Sequence, residues 1–220
     1  MVADTSVSVR PRRWLWVEFA ALYIGAPLAI ALCLPPRMLF PALFAFTVAG
    51  LILLYCTGGF DWHSLFRGWR RIRWGFAAVF TLGVALVGWL IMQATQPDYI
   101  LNLTGPRLRF LLVIWVLYPL LSALPQELIF RPLFFHRFGS LFPDERTALI
   151  VNAAIFSFAH LMYWSVVVSV LTFVGGVVFA LAYRRDGFPS ALLLHGLAGN
   201  ALFAVGMGYY FWSGNVVRPF

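Results

Sequence analysis

Apolar runs of about 20 residues recur along this chain, and a bilayer core about 30 Å thick needs a helix of that length. Arg, Pro and Gly residues bound the runs. In lipid a backbone must satisfy its own hydrogen bonds, which favours helices for such runs. The pattern predicts an all-α, polytopic helical membrane protein with seven or eight transmembrane helices. Seven lie at about residues 14–34, 39–57, 74–94, 108–135, 147–163, 166–183 and 188–212, with an eighth if residues 60–74 insert.

The composition excludes an ordinary soluble protein. Hydrophobic residues make up 62% of the chain, charged residues 11%, and the mean hydropathy is +0.85, whereas soluble domains carry about 25% charged residues. All sixteen cationic residues are Arg, and they lie between the apolar runs. A nucleic-acid surface would mix them with polar and aromatic residues. We therefore expect the lipid bilayer, and no nucleic acid, as a partner.

One transmembrane domain is expected at residues 14–213, between an N-terminal tail at 1–13 and a C-terminal tail at 214–220. Counting arginines on alternate sides places eleven on the N-terminal side and four on the other, with Arg131 left in the membrane. The positive-inside rule then predicts a cytoplasmic N-terminus in an inner, cytoplasmic membrane. Residues 60–74 combine Trp and Phe with four arginines, which predicts an amphipathic stretch along the membrane surface.

Few ionisable side chains fall within the predicted spans, and most of them lie in the C-terminal half. A charge at the centre of a spanning helix costs roughly 2.5–3.5 kcal/mol on insertion scales, so each one needs a partner or a function. Glu127 and Arg131 are four residues apart, which puts them on one helix face, close enough to pair. Each of these groups could instead have a purely structural role. The Glu127–Arg131 pair would then join two helices, and His160 and His195 would be packing residues.

Glu127, His160 and His195 are predicted to lie at similar depths. They stand ten, fourteen and nine residues from the nearest charged residue at the predicted cytoplasmic boundary, or roughly 15, 21 and 13 Å at the helical rise. One carboxylate and two imidazoles can therefore meet in one pocket. Such a set can take a proton from water while neutral donors hold the oxyanion. That chemistry is peptide hydrolysis without a covalent intermediate.

Other protease chemistries lack their usual motifs here. The chain has no HExxH, no pair of Asp residues in the predicted spans and no GxSxG. Ser157, three residues before His160, stays open as a nucleophile. A zinc protease with Glu127, His160 and His195 as ligands is a further alternative. Otherwise we expect no metal and no cofactor.

Three motifs in order resemble a known family. They are Q-E-L-I-F-R at 126–131, F-S-F-A-H at 156–160 and L-L-L-H-G-L-A-G-N at 192–200, with a Gly pair before the last. This set is similar to the CPBP (Abi) family of glutamic intramembrane proteases, which includes the type II CAAX prenyl endopeptidases and bacteriocin-processing or self-immunity relatives. The resemblance covers about residues 120–205, within a protease-like core at about 108–212.

The resemblance implies roles for individual residues. His160 and His195 match the histidines of the second and third motifs, and Arg131 matches the arginine that closes the first. Glu127 matches the second acidic residue of the first motif. The first acidic residue, usually assigned as catalytic, is replaced by Gln126. Catalytic roles are thus implied for Glu127, His160 and His195, with Gln126 and Arg131 in support.

The third motif departs from the family at its end. The family has Asn four residues after the histidine, where this chain has Gly199, and Asn200 is the fifth residue. On a regular helix Asn200 is turned about 140° from His195, although a π-bulge at the glycines would restore the alignment. Asn152 is a possible substitute donor for the oxyanion.

We interpret the chain as an intramembrane endopeptidase acting on a membrane-anchored or prenylated protein, with Glu127 and His160 activating water. The alternative is a non-catalytic membrane binding or immunity protein, in which Gln126 marks lost activity. The sequence predicts neither the substrate's identity nor the oligomeric state.

Overall fold

The computed structural model describes residues 11–100, 105–212, 216 and 218 and contains helices without strands in those ranges. Most of both predicted tails, including residues 1–10, lies outside the described residues. Along the described chain the helices are α1 (Arg12–Cys33), α2 (Leu39–Thr57), α3 (Trp74–Thr95), α4 (Leu108–Leu141), α5 (Glu145–Phe158), α6 (Val166–Asp186), α7 (Phe188–Ala204) and α8 (Gly208–Phe211).

Five of these helices, α1 to α4 and α6, are long and apolar enough to cross a membrane. Helices α5 and α7, of 14 and 17 residues, fill the positions of the fifth and seventh predicted spans but are shorter than a full span. The predicted all-α membrane fold is confirmed, and the chain is an integral membrane protein. Residues 60–74 form two short 3₁₀ turns, Trp62–Leu65 and Trp69–Arg71, and no spanning helix.

Contacts between helix ends fix the direction of the helices. Arg12, at the start of α1, donates to the carbonyl of Leu141, at the end of α4, over 3.0 Å. Arg73, just before α3, pairs with Asp186, at the end of α6, over 2.9 Å. The starts of α1 and α3 thus lie beside the ends of α4 and α6, so these helices alternate in direction as the predicted topology requires.

Helix α4 carries part of the site and is irregular. Pro119 and Pro132 have no N–H group and interrupt the helical hydrogen-bond ladder. Two π-helical stretches, Pro119–Ala123 and Ile129–Phe138, surround these prolines. A π-turn adds a residue to the turn, so the direction in which later side chains point differs from that of a regular helix.

Aromatic rings fill the core between α1 and α4, where Phe130, Phe134 and Phe138 are buried. Across the core, α6 lies close to α5 at Gly176, where an added Cβ would be 3.0 Å from Ala153 Cα. A larger residue at position 176 would push the two helices apart. This close packing holds the α5 side chains beside α6 and α7, where the polar residues meet.

Candidate active site

Glu127 and Arg131 form an ion pair that is 0% exposed on both sides. Arg131 Nε donates to Glu127 Oε2 over 2.9 Å, and Nη2 donates to Oε1 over 3.4 Å. The spacing of four residues on α4 puts both groups on one face. The guanidinium stabilises the ionised carboxylate, since a charge so far from water needs a partner.

Asn152 of α5 completes the burial of Arg131. Its Oδ1 accepts a hydrogen bond from Arg131 Nη1, and its Nδ2 donates to the carbonyl of Phe130 over 2.6 Å. The Arg131 guanidinium also lies over the Phe156 ring, 5.2 Å from the centroid. Asn152, a candidate oxyanion donor, is therefore occupied with the arginine and the α4 backbone.

His195 of α7 binds the other side of the carboxylate. Its Nδ1 lies 2.9 Å from Glu127 Oε1, and because an ionised carboxylate only accepts, Nδ1 is the donor. The ring stacks on Phe179, with centroids 4.7 Å apart and planes 11° apart. In the neutral ring Nε2 then carries the lone pair. His195 is thus held as a base backed by a buried carboxylate.

His160 has a similar arrangement without a carboxylate. Helix α5 ends at Phe158, and His160 precedes the short turn Leu161–Tyr163. Its Nδ1 lies 2.7 Å from the carbonyl of Phe156, which can only accept, so Nδ1 carries a proton, and in the neutral ring Nε2 carries the lone pair. When neutral, the His160 ring therefore offers a second imidazole acceptor, and the backbone carbonyl of Phe156 holds it in place.

Both histidines line one cavity of about 580 Å³. Few polar side chains line it, and apolar side chains of α2 to α7 make up most of the wall. Among the described residues, no carboxylate, Arg or Lys lines it. The polar lining consists of Tyr118, Ser122, Gln126, His160, Tyr163, Thr172 and His195.

Gln126 and Glu127 are adjacent in sequence but point in different directions. Gln126 lines the cavity, and its Nε2 donates to Ser122 Oγ over 3.0 Å. Its Oε1 is buried and has no hydrogen-bond partner among the described residues. Glu127 faces Arg131 and His195 instead. The cavity thus meets the Gln126 amide and not the Glu127 carboxylate.

Asn200 lies outside the cavity. Its Nδ2 donates to the carbonyl of Trp115 over 3.0 Å, and Trp115 Nε1 donates back to the carbonyl of Asn200 over 3.0 Å. Helix α7 is α-helical from Phe188 to Ala204, so no π-bulge restores the alignment, and the fifth residue after His195 points elsewhere.

Tyr118 lines the cavity, although no sequence motif selects it. Its ring covers Gly199, where any added Cβ would overlap it, and it lies 6.0 Å from the His195 ring between centroids. Tyr118 occupies the space beside the fourth position after His195. No local motif around Tyr118 marks it, because the contact joins α4 to α7 across the cavity.

The sequence left two alternatives open, a Ser157 nucleophile and a zinc site. Ser157 donates to the carbonyl of Ser169 over 2.7 Å and does not line the cavity. Within the described residues, no group of three His, Cys, Asp or Glu side chains is arranged to hold a metal ion. The Glu127, His160 and His195 set therefore does not form a ready zinc site in this conformation.

The fold and the site define an integral membrane protein with a polar site enclosed among its helices. Residues 108–202 match the family model described as type II CAAX prenyl endopeptidase Rce1-like. The match confirms the resemblance predicted from the three motifs, and the matched model describes a family of proteases. No curated protein and no solved structure matches the chain significantly.

Proposed function

We propose that this protein is an intramembrane endopeptidase that hydrolyses a peptide bond of a membrane-anchored or prenylated protein. The observation that carries the proposal is the 2.9 Å contact between Glu127 and His195, beside a cavity that His160 also lines. An imidazole backed by a buried carboxylate is a general base suited to activating water. The family match over residues 108–202 supports the same reaction class.

In the proposed reaction, His195 Nε2 takes a proton from water as the oxygen attacks the substrate carbonyl carbon. Glu127 stabilises the imidazolium that forms and acts through His195, because its own oxygens are occupied and buried. His160 Nε2 accepts the other hydrogen of the water and orients it. The imidazolium then gives its proton to the leaving amine as the C–N bond breaks, which yields a carboxylic acid and an amine.

The cavity also supplies groups for the other atoms of the reaction. The Gln126 Oε1 is an acceptor free to orient water, and Tyr118 and Tyr163, each with a hydroxyl group, line the same cavity. A hydroxyl aimed at a developing oxyanion lowers the barrier. The apolar walls suit a substrate whose anchoring group lies in lipid.

The test uses the full chain in proteoliposomes with a farnesylated peptide ending in a CAAX sequence and the same peptide without the farnesyl group. Mass spectrometry detects the released C-terminal fragment. His195→Ala and His160→Ala should each lower the rate by about 10²–10⁴-fold, the contribution typical of acid–base catalysis. Unchanged cleavage in either variant contradicts the assignment.

Two controls match these variants. Asn200→Ala removes a polar side chain from the same helix as His195, and Ser157→Ala tests the alternative nucleophile near His160. Both residues lie outside the cavity lining, so both variants should keep the activity of the unaltered protein. A chelator should leave the rate unchanged, and inhibition that zinc reverses would favour the metalloprotease.

A second candidate function is a non-catalytic membrane binding or immunity protein. It is favoured by Gln126, since an amide cannot take a proton from water and no described carboxylate lines the cavity. Gln126→Glu separates the two functions, with Gln93→Glu on α3 as a control that adds the same charge away from the cavity. Cleavage by Gln126→Glu but not by the unaltered chain would support the non-catalytic function.

A further inference from the structure

A cluster of arginines and exposed aromatic rings lies at one end of the bundle, outside the cavity. It consists of Arg67, Arg70, Arg71 and Arg73 on the connection from α2 to α3, together with Arg184 and Arg185 at the end of α6. We name these six residues the arginine cluster. It follows α2 and precedes α3, two helices long enough to cross a membrane, so it lies at the membrane surface.

The two parts of the arginine cluster are held together by a contact between glycines. Gly68 has φ +112°, and a Cβ there would lie 2.6 Å from the carbonyl oxygen of Asp186. Gly187 has φ +101°, and a Cβ there would be 3.2 Å from the carbonyl oxygen of Arg67. Only glycine fits this backbone conformation at both positions without strain. The arginines of the two connections therefore share one fixed surface.

Half of the arginine cluster is neutralised and half is not. Arg67 pairs with Asp61, Arg73 with Asp186 and Arg184 with Glu145. In the described part of the chain, Arg70, Arg71 and Arg185 form no salt bridge, and all three are exposed. Three guanidinium groups thus present uncompensated positive charge on one surface.

Large aromatic rings stand among these charges. Phe66 is 73% exposed, Trp69 56% and Trp74 64%. Rings of this kind are favourable at the boundary between headgroups and acyl chains, where Trp is enriched. A free anion would not contact these aromatic rings. An anionic lipid carries both a negative headgroup, which the arginines can bind, and an apolar body, which the rings can contact.

We propose that the arginine cluster is a binding site for an anionic phospholipid of the bilayer. Arg70, Arg71 and Arg185 bind the phosphate and the charged headgroup, and the rings of Phe66, Trp69 and Trp74 lie against the upper acyl chains. The inference does not depend on the proposed protease activity, since it rests on the charge and exposure of residues that do not line the cavity.

Native mass spectrometry of the full chain in neutral detergent tests the proposal. Phosphatidylglycerol and phosphatidylcholine with the same acyl chains are titrated separately, and the bound fraction is measured. We expect the chain to bind phosphatidylglycerol at least tenfold more tightly. The triple variant Arg70→Gln, Arg71→Gln, Arg185→Gln should lose roughly fivefold in affinity for each arginine removed. Equal affinity for the two lipids overturns the proposal.

Two further variants keep the result specific. Replacing the same three arginines by Lys keeps the charge and should keep most of the affinity for phosphatidylglycerol. The double variant Arg37→Gln, Arg109→Gln removes exposed arginines at the start of α2 and the start of α4 and should bind as the unaltered chain does. A triple Gln variant that binds normally, or complete displacement of the lipid by excess inorganic phosphate, contradicts the assignment to a lipid.

Discussion

The two sides of the cavity differ in their content of polar side chains. On one side Glu127, Arg131, Asn152 and His195 form a network, here called the polar network, in which every charge has a partner and no atom of Glu127 or Arg131 is exposed. On the other side, the cavity wall consists of Phe40, Val84, Val87, Val113 and Leu117 from α2, α3 and α4.

The difference shows where charge is tolerated in such a protein. Glu127 and Arg131 lie where α4, α5 and α7 exclude lipid, whereas these five wall residues are all apolar, and some have half of their surface exposed, such as Phe40 at 56%. His195 joins the two regions, since it bonds Glu127 and lines the cavity. The imidazole of His195 is therefore placed at the boundary between a closed polar network and an apolar space.

The largest expected effect follows from breaking the polar network. Arg131→Met should lower the free energy of unfolding by about 3–5 kcal/mol, because it leaves the buried Glu127 without its cation. Chemical unfolding in detergent micelles measures this loss. The double variant Glu127→Gln, Arg131→Met removes both charges and should recover part of it. A double variant as unstable as the single one would show that the buried charge is not the cause.

A second change tests how the polar network serves His195. Glu127→Gln keeps the size of the side chain but cannot stabilise an imidazolium, so kcat should fall about 10²–10⁴-fold with little change in KM. Cleavage kinetics in proteoliposomes measure both constants. Glu145→Gln, which removes a surface partner of Arg184, is the matched control and should act as the unaltered chain. A rise in KM alone would place Glu127 in substrate binding instead.

The cavity wall is expected to act on binding and less strongly. Val87→Phe fills part of the cavity and should raise KM about tenfold for the farnesylated peptide while leaving kcat similar. Val79→Phe makes the same change on the same helix at an exposed position outside the lining and should have no effect. Equal KM values for the two variants would contradict a role for the wall in substrate binding.

The smallest expected effect is on stability and concerns a surface residue outside both the polar network and the cavity wall. Asp144 caps α5, where its carboxylate accepts from the Thr147 N–H over 2.8 Å. The hydrogen bonds that the backbone and side chain of Thr147 donate to this carboxylate hold the pKa of Asp144 below its usual value. Because the folded-state pKa is depressed, the contribution to stability is present above the unfolded-state pKa and is lost as pH falls through the folded-state pKa.

Asp144→Ala should therefore lower the unfolding temperature slightly at neutral pH, and the difference from the unaltered chain should vanish in acid. Thermal unfolding across a pH series measures both. Asp144→Asn, which keeps a capping side chain without the charge, should fall between the two at neutral pH. A difference that persists in strong acid would show that the ionised carboxylate is not the cause.

Much of the fold could be predicted from local patterns. The apolar runs and their Arg, Pro and Gly boundaries predicted α2 at the observed residues, Leu39–Thr57, because hydropathy and helical hydrogen bonding are local properties. The lengths of α5 and α7 were less predictable. A span of 147–163 was predicted where α5 ends at Phe158 and a turn carries His160.

The residues of the candidate site were predictable in part. The spacing of Glu127 and Arg131 indicated a pair on one helix face, and similar depth indicated that Glu127, His160 and His195 lie close together. Tyr118 could not be selected, since its place over Gly199 depends on how α4 crosses α7. The hydrogen bonds of the Asn152 side chain likewise join it to α4, and no sequence spacing predicts them.

The order of residues alone specifies a helical membrane protein, the residue types available for chemistry and an amide, Gln126, immediately before the acidic Glu127. The packing of the helices places Gln126 at the cavity and turns Glu127 towards Arg131 and His195. The reason is physical, since the interrupted helix α4 sets the direction of each side chain, and the packing of α5 and α7 against it determines which of two neighbouring residues meets the cavity.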